Sequence, residues 1–191
     1  MPEALHHESA GAEDAPVLLL GCSLGTALAM WEPQVAPLAQ RLRVIRYDHR
    51  GHGASPVPPG PYEIEDLGRD VLALMDRLGI ERASLGGVSL GGMVAMWLGA
   101  NAPERVERLV LCCTSAHMPP ASAWADRAAA VRAAGTTAVV ADAVVERWLT
   151  PEFAREHPDT QAWLRAMLLA TDPGGYAARR SMRSIAPHAA A

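Results

Sequence analysis

Glu81-Arg82-Ala83-Ser84-Leu85-Gly86-Gly87-Val88 runs without a break into Ser89-Leu90-Gly91. Residues 81–88 carry a short apolar strand pattern, and residues 90–100 carry a helical one. Between them, Gly87-Val88-Ser89-Leu90-Gly91 has the GxSxG spacing of a serine held on a sharp strand-to-helix turn. Such a turn forces strained backbone angles on Ser89 and lifts its hydroxyl clear of the sheet edge. Its neighbours must be nearly free of side chain, so Gly87 and Gly91 let strand and helix pass closely. Short glycine patterns recur by chance; the strand before and the helix after give this one its meaning. The plain alternative is a glycine-rich turn whose serine only caps the helix.

Working outward, strands and helices alternate. Residues 17–20 are a continuous apolar run, as in a strand buried on both faces. A glycine-bearing loop follows, then a helical stretch over 30–41 and a second strand over 44–47, ending at Asp48. Residues 49–61 are rich in glycine and proline and read as a loop. Ile64, Leu67, Val71, Leu74, Met75 and Leu78 recur at helical spacing, and Gly79 closes that helix in the favoured C-terminal position. A further strand is expected over 106–113. Short connections between alternating elements imply a mostly parallel α/β sheet with right-handed crossovers. From Met118-Pro119-Pro120 onward the pattern changes, and residues 121–177 are alanine-rich and helical. They are expected to lie over the sheet's C-terminal edge, where ligands bind in open α/β sheets. The chain thus divides into a core (1–117), a helical cap (118–178) and a tail (179–191) without apolar periodicity.

Composition narrows the function. The 191 residues suffice for one domain with a real core; half are hydrophobic and 20% are charged, at a net charge of -4. That balance gives no reason to expect nucleic acid or an anionic membrane as a partner. No run approaches the ~18 apolar residues of a membrane span, and residues 1–16 lack a signal-peptide core. Cys22, Cys112 and Cys113 fit no metal or disulfide spacing. The adjacent pair is expected to be small buried hydrophobes in a reducing, hence cytoplasmic, compartment. No cofactor or metal is expected.

Several further stretches resemble the α/β-hydrolase family, and more narrowly its 3-oxoadipate enol-lactonases. Ser23-Leu24-Gly25-Thr26, followed by Met30-Trp31, resembles that subfamily's oxyanion loop. Asp48-His49-Arg50-Gly51-His52-Gly53-Ala54-Ser55 resembles the DxRGxGxS loop of the whole superfamily. Glu146-Arg147-Trp148-Leu149-Thr150-Pro151 and Asp172-Pro173-Gly174-Gly175-Tyr176-Ala177 resemble the lactonases' cap. The resemblance spans about residues 5–178. It implies at least two more strand-loop-helix units, on the order of 60 residues at ~30 per unit, bearing the catalytic acid and histidine. The 13 residues after Ala178 do not resemble that continuation. The expectation is therefore an α/β-hydrolase fold with its last strands missing, by truncation or a change of frame near Arg179.

The chemistry so implied is hydrolysis of a small, carboxylate-bearing enol-lactone. Ser89 is the candidate nucleophile, and the backbone N–H groups of Leu24 and Leu90 are the candidate oxyanion donors. Arg147 offers a guanidinium fork for carboxylate and Trp148 an indole wall. Ser23 and Trp31 are candidate lining residues, although Trp31 and Trp148 suit a core equally well. Consecutive helix positions point about 100° apart, which favours only one of Arg147 and Trp148 facing the site. Candidates for the base after Ser89 are His117, His157 and His188, none in the expected place; His49 and His52 suit shaping their loop. Asp126, Asp142, Asp159 and Asp172 read as helix caps or solvated charges. A complete triad cannot be assembled from these residues. Competing readings are another esterase or haloperoxidase-like enzyme of the same fold, and a non-catalytic fragment.

Overall fold

A computed structural model describes residues 1–117 and 121–178 of the chain. Strands β2 (Val17–Gly21), β3 (Arg43–Tyr47), β4 (Ala83–Val88) and β5 (Val106–Cys112) form the parallel body of one sheet. A fifth strand, β1 (His7–Ala10), lies antiparallel to β3, with His7 opposite Tyr47 and Ala10 opposite Val44. The order across the sheet is β1-β3-β2-β4-β5. The mostly parallel sheet matches the alternation in the sequence. β1 does not, because His7-Glu8-Ser9-Ala10 has no apolar run and is an edge strand held by backbone pairing.

Alternation along the strands builds two cores. Leu19, Ile45 and Leu85 face the larger one, while Leu18, Leu20 and Val44 face a small cluster on the opposite side. Helix α1 (Glu32–Ala39), preceded by a 3₁₀ turn at Leu28–Trp31, covers the small cluster. The larger core lies under α2 (Ile64–Arg77) and α3 (Leu90–Asn101). Ile64, Leu67, Val71, Leu74 and Met75 are buried along α2, as their spacing requires. A reciprocal cap between Glu63 and Asp66 starts that helix, and Gly79, at φ +65°, follows its end. Asp70 of α2 is fully buried. Its carboxylate accepts from Arg50 Nε and Nη2, both at 2.6 Å, and from the Glu3 amide at 2.6 Å.

Five helices follow: α4 (Ala121–Ala134), α5 (Ala138–Trp148), α6 (Pro151–Glu156), α7 (Pro158–Ala170) and α8 (Pro173–Ala177). No strand is present after Cys112 among the described residues. These helices meet the sheet through glycine. A Cβ on Gly25 would fall 2.1 Å from Leu168 Cδ1 of α7. One on Gly51 would fall 2.7 Å from the Gly175 Cα, and one on Gly175 would fall 2.1 Å from the Gly51 carbonyl. Backbone therefore packs on backbone where Gly51 meets Gly175, and the Leu168 side chain packs on backbone at Gly25.

Among the described residues, β5 is the open edge. Leu109, Val110 and Leu111 are 38, 54 and 43% exposed, an apolar strip beside unpaired backbone groups. Such an edge is adhesive. The chain is expected to self-associate at high concentration. Val110→Lys should reduce that association in sedimentation velocity while leaving the urea midpoint within about 0.5 kcal/mol of the parent, the usual range for surface changes.

Candidate active site

Ser89 sits between β4 and α3 with φ +51° and ψ -106°, a left-handed conformation that non-glycine residues rarely adopt. Strain of this kind costs on the order of 1–3 kcal/mol and persists only where the surroundings impose it. Here they do so from both sides. The Ser89 N–H donates to the Cys112 carbonyl at 2.9 Å, and the Ser89 carbonyl accepts from Thr114 Oγ1 at 2.6 Å and Met93 N–H at 3.0 Å. Gly91 permits the turn, because a Cβ there would lie 2.2 Å from the Gly21 carbonyl of β2. The Gly91 N–H donates to Cys22 O at 2.9 Å, tying the start of α3 to the end of the neighbouring strand.

The loop after β2 is held just as tightly. Thr26 donates to the Ser23 carbonyl twice, from its N–H at 3.2 Å and its hydroxyl at 2.8 Å. That fixes the Ser23–Leu24 peptide plane, and with it the direction of the Leu24 N–H. The next peptide is fixed by His52, whose Nε2 accepts from the Gly25 N–H at 3.0 Å. His52 Nε2 is therefore unprotonated, and Nδ1 carries the hydrogen toward the Arg50 carbonyl at 3.2 Å. Both loop histidines shape the loop: His49 Nε2 lies 3.1 Å from Cys22 O, and both rings are buried. His52→Leu removes the acceptor from a buried N–H, at a cost of about 1–3 kcal/mol. Urea unfolding should show that loss, together with faster hydrogen exchange at Gly25.

The two loops and the helical layer enclose a cavity of about 190 Å³. Ser23, Leu24, Val88, Ser89 and Cys113 supply the sheet side. Trp124 and Arg127 of α4, Val144, Arg147 and Trp148 of α5, and Tyr176 of α8 supply the other. Ser23, Leu24, Ser89, Arg147 and Trp148 are thus brought together. Both Arg147 and Trp148 reach the cavity, against the helical-wheel expectation of one, because the cavity wraps the end of α5. Leu90 is fully buried beneath the turn as the first residue of α3, where an N–H lacks an intrahelical partner. Trp31 lies elsewhere, packed on the small cluster of Leu18, Leu20 and Val44.

Trp124, Arg127, Tyr176 and Cys113 escaped the sequence reading. The first two are three residues apart on α4, and the Arg127 guanidinium sits 4.7 Å over the Trp124 ring. That spacing was the available signal. Burial holds the Tyr176 phenol above its ordinary range, opposed by the positive charges of Arg127 and Arg147. Cys113 is exposed rather than buried, because the strand ends at Cys112 and Cys113 follows it at φ +47° on the cavity wall. Cys22 is buried, which pushes its thiol well up.

Among the described residues, no histidine and no carboxylate lines the cavity. His117 is exposed in the turn after β5, where its backbone pairs with the Ser115 hydroxyl. The His157 ring packs on Phe153 at 4.3 Å. Asp142 pairs with Arg165 at 2.6 Å, and Asp172 caps α8 by accepting from the Gly175 N–H at 2.8 Å. Asp126 and Asp159 are exposed on α4 and α7. His188 and the tail 179–191 lie outside the described residues, as do residues 118–120 at the start of the cap. No helix among the described residues is long and apolar enough to cross a membrane.

A family model described as alpha/beta hydrolase fold matches residues 15–187. Over 174 residues the chain is 41% identical to 3-oxoadipate enol-lactonase 2 of Acinetobacter baylyi, covering 91% of the chain and 65% of that relative. The crystal structure of the enol-lactonase from Burkholderia xenovorans superposes with a TM-score of 0.89 at 43% identity. That match covers 93% of this chain and 71% of the other. A thermophilic esterase from Thermogutta terrifontis, solved with malate bound, superposes at 0.86 with 32% identity, covering 93% and 66%. The chain therefore spans just under two thirds of the length of the curated relative it matches.

Proposed function

The chain belongs to the α/β-hydrolase family, and from that membership we propose that it carries the nucleophile, the oxyanion donors and the substrate pocket of a carboxylic-ester hydrolase. The substrate is a small enol-lactone bearing a carboxylate, 3-oxoadipate enol-lactone, opened to 3-oxoadipate in aromatic-acid catabolism. The observation that carries this reading is the convergence of Ser89, on its strained turn, with Arg147 and Trp148 in one cavity. Relatives named as enol-lactonases support the substrate, and the malate in the esterase structure shows that family member holding a carboxylate ligand.

In the reaction, Ser89 Oγ attacks the lactone carbonyl carbon, and the ring C–O bond breaks as the acyl–serine forms. The ring oxygen leaves as an enol, which tautomerises to the ketone. Water then cleaves the acyl–serine, giving a carboxylate and a free Ser89. The negative charge that develops on the carbonyl oxygen is taken by the N–H groups of Leu24 and Leu90, each donor typically worth ~2.7–4 kcal/mol. Arg147 pairs with the substrate's carboxylate and Trp148 flanks the ring. The Ser89 proton needs a base, which the described residues do not supply, so the chain by itself turns over its lactone negligibly. The thiols of Cys22, Cys112 and Cys113 are free, which fits a reducing, cytoplasmic setting.

Stoichiometric labelling tests the nucleophile without requiring turnover. A fluorophosphonate at millimolar concentration and long incubation should modify Ser89, as located by peptide mass spectrometry. Labelling elsewhere with Ser89 untouched would remove the assignment.

A further inference from the structure

The sheet ends differently on its two sides. At one side β1 presents His7, Glu8, Ser9 and Ala10, a short polar strand of the kind that resists further pairing, with Glu8 held by Arg46 at 2.7 Å. At the other, β5 presents exposed Leu109, Val110 and Leu111, with Val110 on one face and the two leucines on the other. The β5 backbone also has a direction. Cys112 O accepts from the Ser89 N–H, so Cys112 aims its N–H and C=O groups inward at β4, and by the two-residue repeat so does Val110. Leu109 and Leu111 therefore aim theirs outward, where no strand lies among the described residues.

We propose that a second copy of this chain pairs there, β5 against β5 in antiparallel register, with Val110 opposite the partner's Val110. The two-fold axis of such a pair stands perpendicular to the sheet and leaves each face on its own side, so even positions oppose even ones and odd oppose odd. The residues then select the centre. Centring on Arg108 opposes two guanidiniums, and centring on Leu109 lays Val110 against the partner's Arg108. Centring on Leu111 requires the partner's Cys113 as a strand residue, but Cys113 lies past the strand at φ +47°. Centring on Val110 sets Leu109 against the partner's Leu111 and Leu111 against the partner's Leu109, apolar on apolar. These are the residues whose backbone groups point outward, so each pair exchanges both its hydrogen bonds, and the Val110 pair between them is the closer, unbonded kind. Arg108 keeps its own counter-charge, Glu107 at 3.0 Å. Because β1 offers no second adhesive side, the assembly closes at two copies instead of growing into a fibre. The strip is short, so the dimer belongs to the weak class that dissociates on dilution. It forms on the strand whose end, through Cys112 and Thr114, holds the Ser89 backbone.

Sedimentation equilibrium of the 191-residue chain tests the stoichiometry, and directed disulfides test the register. Average mass should rise with concentration from one chain towards two and stop there. With Cys112 and Cys113 replaced by serine, Val110→Cys should oxidise to a linked dimer in a glutathione redox buffer. Paired Cα atoms of the unbonded kind lie ~4.5 Å apart, within disulfide reach. Leu109→Cys and Leu111→Cys should link little alone and readily with each other. Val110→Lys should return the mass to one chain, whereas Leu169→Lys on the exposed side of α7 should leave the dimer intact. Circular dichroism checks folding, and if Val110→Lys proves unfolded, Leu111→Lys carries the comparison. One-chain mass at every concentration, mass growing beyond two chains, or equal self-linking at positions 109, 110 and 111 would each overturn the proposal. A dimer that persists in a folded Val110→Lys or Leu111→Lys would overturn it too. Slow hydrogen exchange at Leu109 and Leu111 in a one-chain solution would overturn it in favour of residues 179–191 as the cover.

Discussion

Enol-lactone hydrolysis by the 191-residue chain should equal that of its Ser89→Ala variant, with both near background. Serine at neutral pH is a weak nucleophile unless a positioned base takes its proton. In a well-studied serine hydrolase, loss of the serine or of the histidine alone costs about 10⁶-fold in kcat. The cavity places no imidazole beside Ser89 among the described residues, and the two loop histidines are committed to shaping strand-end loops. The proposed donors at Leu24 and Leu90 would stabilise charge but move no proton, and cannot replace that step. Turnover followed by the ultraviolet absorbance of the lactone decides the point. Robust hydrolysis that disappears with Ser89→Ala would reverse the expectation. It would make His117, in the turn after β5, the first residue to substitute next, and His188 the second.

Asp70→Ala should cost about 3–5 kcal/mol, a large share of the ~5–15 kcal/mol by which domains are stable. Asp70 is fully buried and meets Arg50 through two 2.6 Å hydrogen bonds, with a third bond to the Glu3 amide. Removing the carboxylate strands the Arg50 guanidinium, whose other neighbour is the Tyr62 ring at 5.6 Å. It also leaves the Glu3 N–H without its acceptor. Replacing both charged partners by leucine should recover most of the loss, since well-packed apolar pairs often match buried ion pairs. Urea unfolding of the single and double variants separates the two cases. A single substitution costing under 1 kcal/mol would mean that water reaches Arg50.

Much of this architecture was legible because its signals are local. The apolar run at Val17–Leu20, the 3.6-residue spacing along α2 and the glycines flanking Ser89 each constrain their own segment. Leu24, Ser89, Arg147 and Trp148 could be singled out by motif, and all four line one cavity. What escaped depends on partners far away in the chain. β1 is polar in sequence and becomes a strand only because β3 offers it a backbone edge. Arg127 carries no motif of its own, and only the fold brings it to the cavity that Tyr176, 49 positions later, also lines. Cys113 reads as the end of a strand, yet it lies past the strand with a left-handed backbone and lines the same cavity as Ser89.

The contact of Gly25, Gly51 and Gly175 with their neighbours bears on how such a pocket could diversify. Where Gly51 meets Gly175 no side chain comes between the two backbones, so that contact offers nothing to trim, lengthen or recharge; any residue but glycine at either position must push two backbones apart. Selection for a new ligand therefore has little purchase on the height or tilt of the roof. It can act instead on Trp124, Arg127, Val144, Arg147 and Trp148, which project from α4 and α5 into the cavity and can be exchanged without touching the joint. The molecule thus separates a fixed mount from a replaceable wall, and changes in ligand preference should accumulate on α4 and α5 while the glycine joint stays the same.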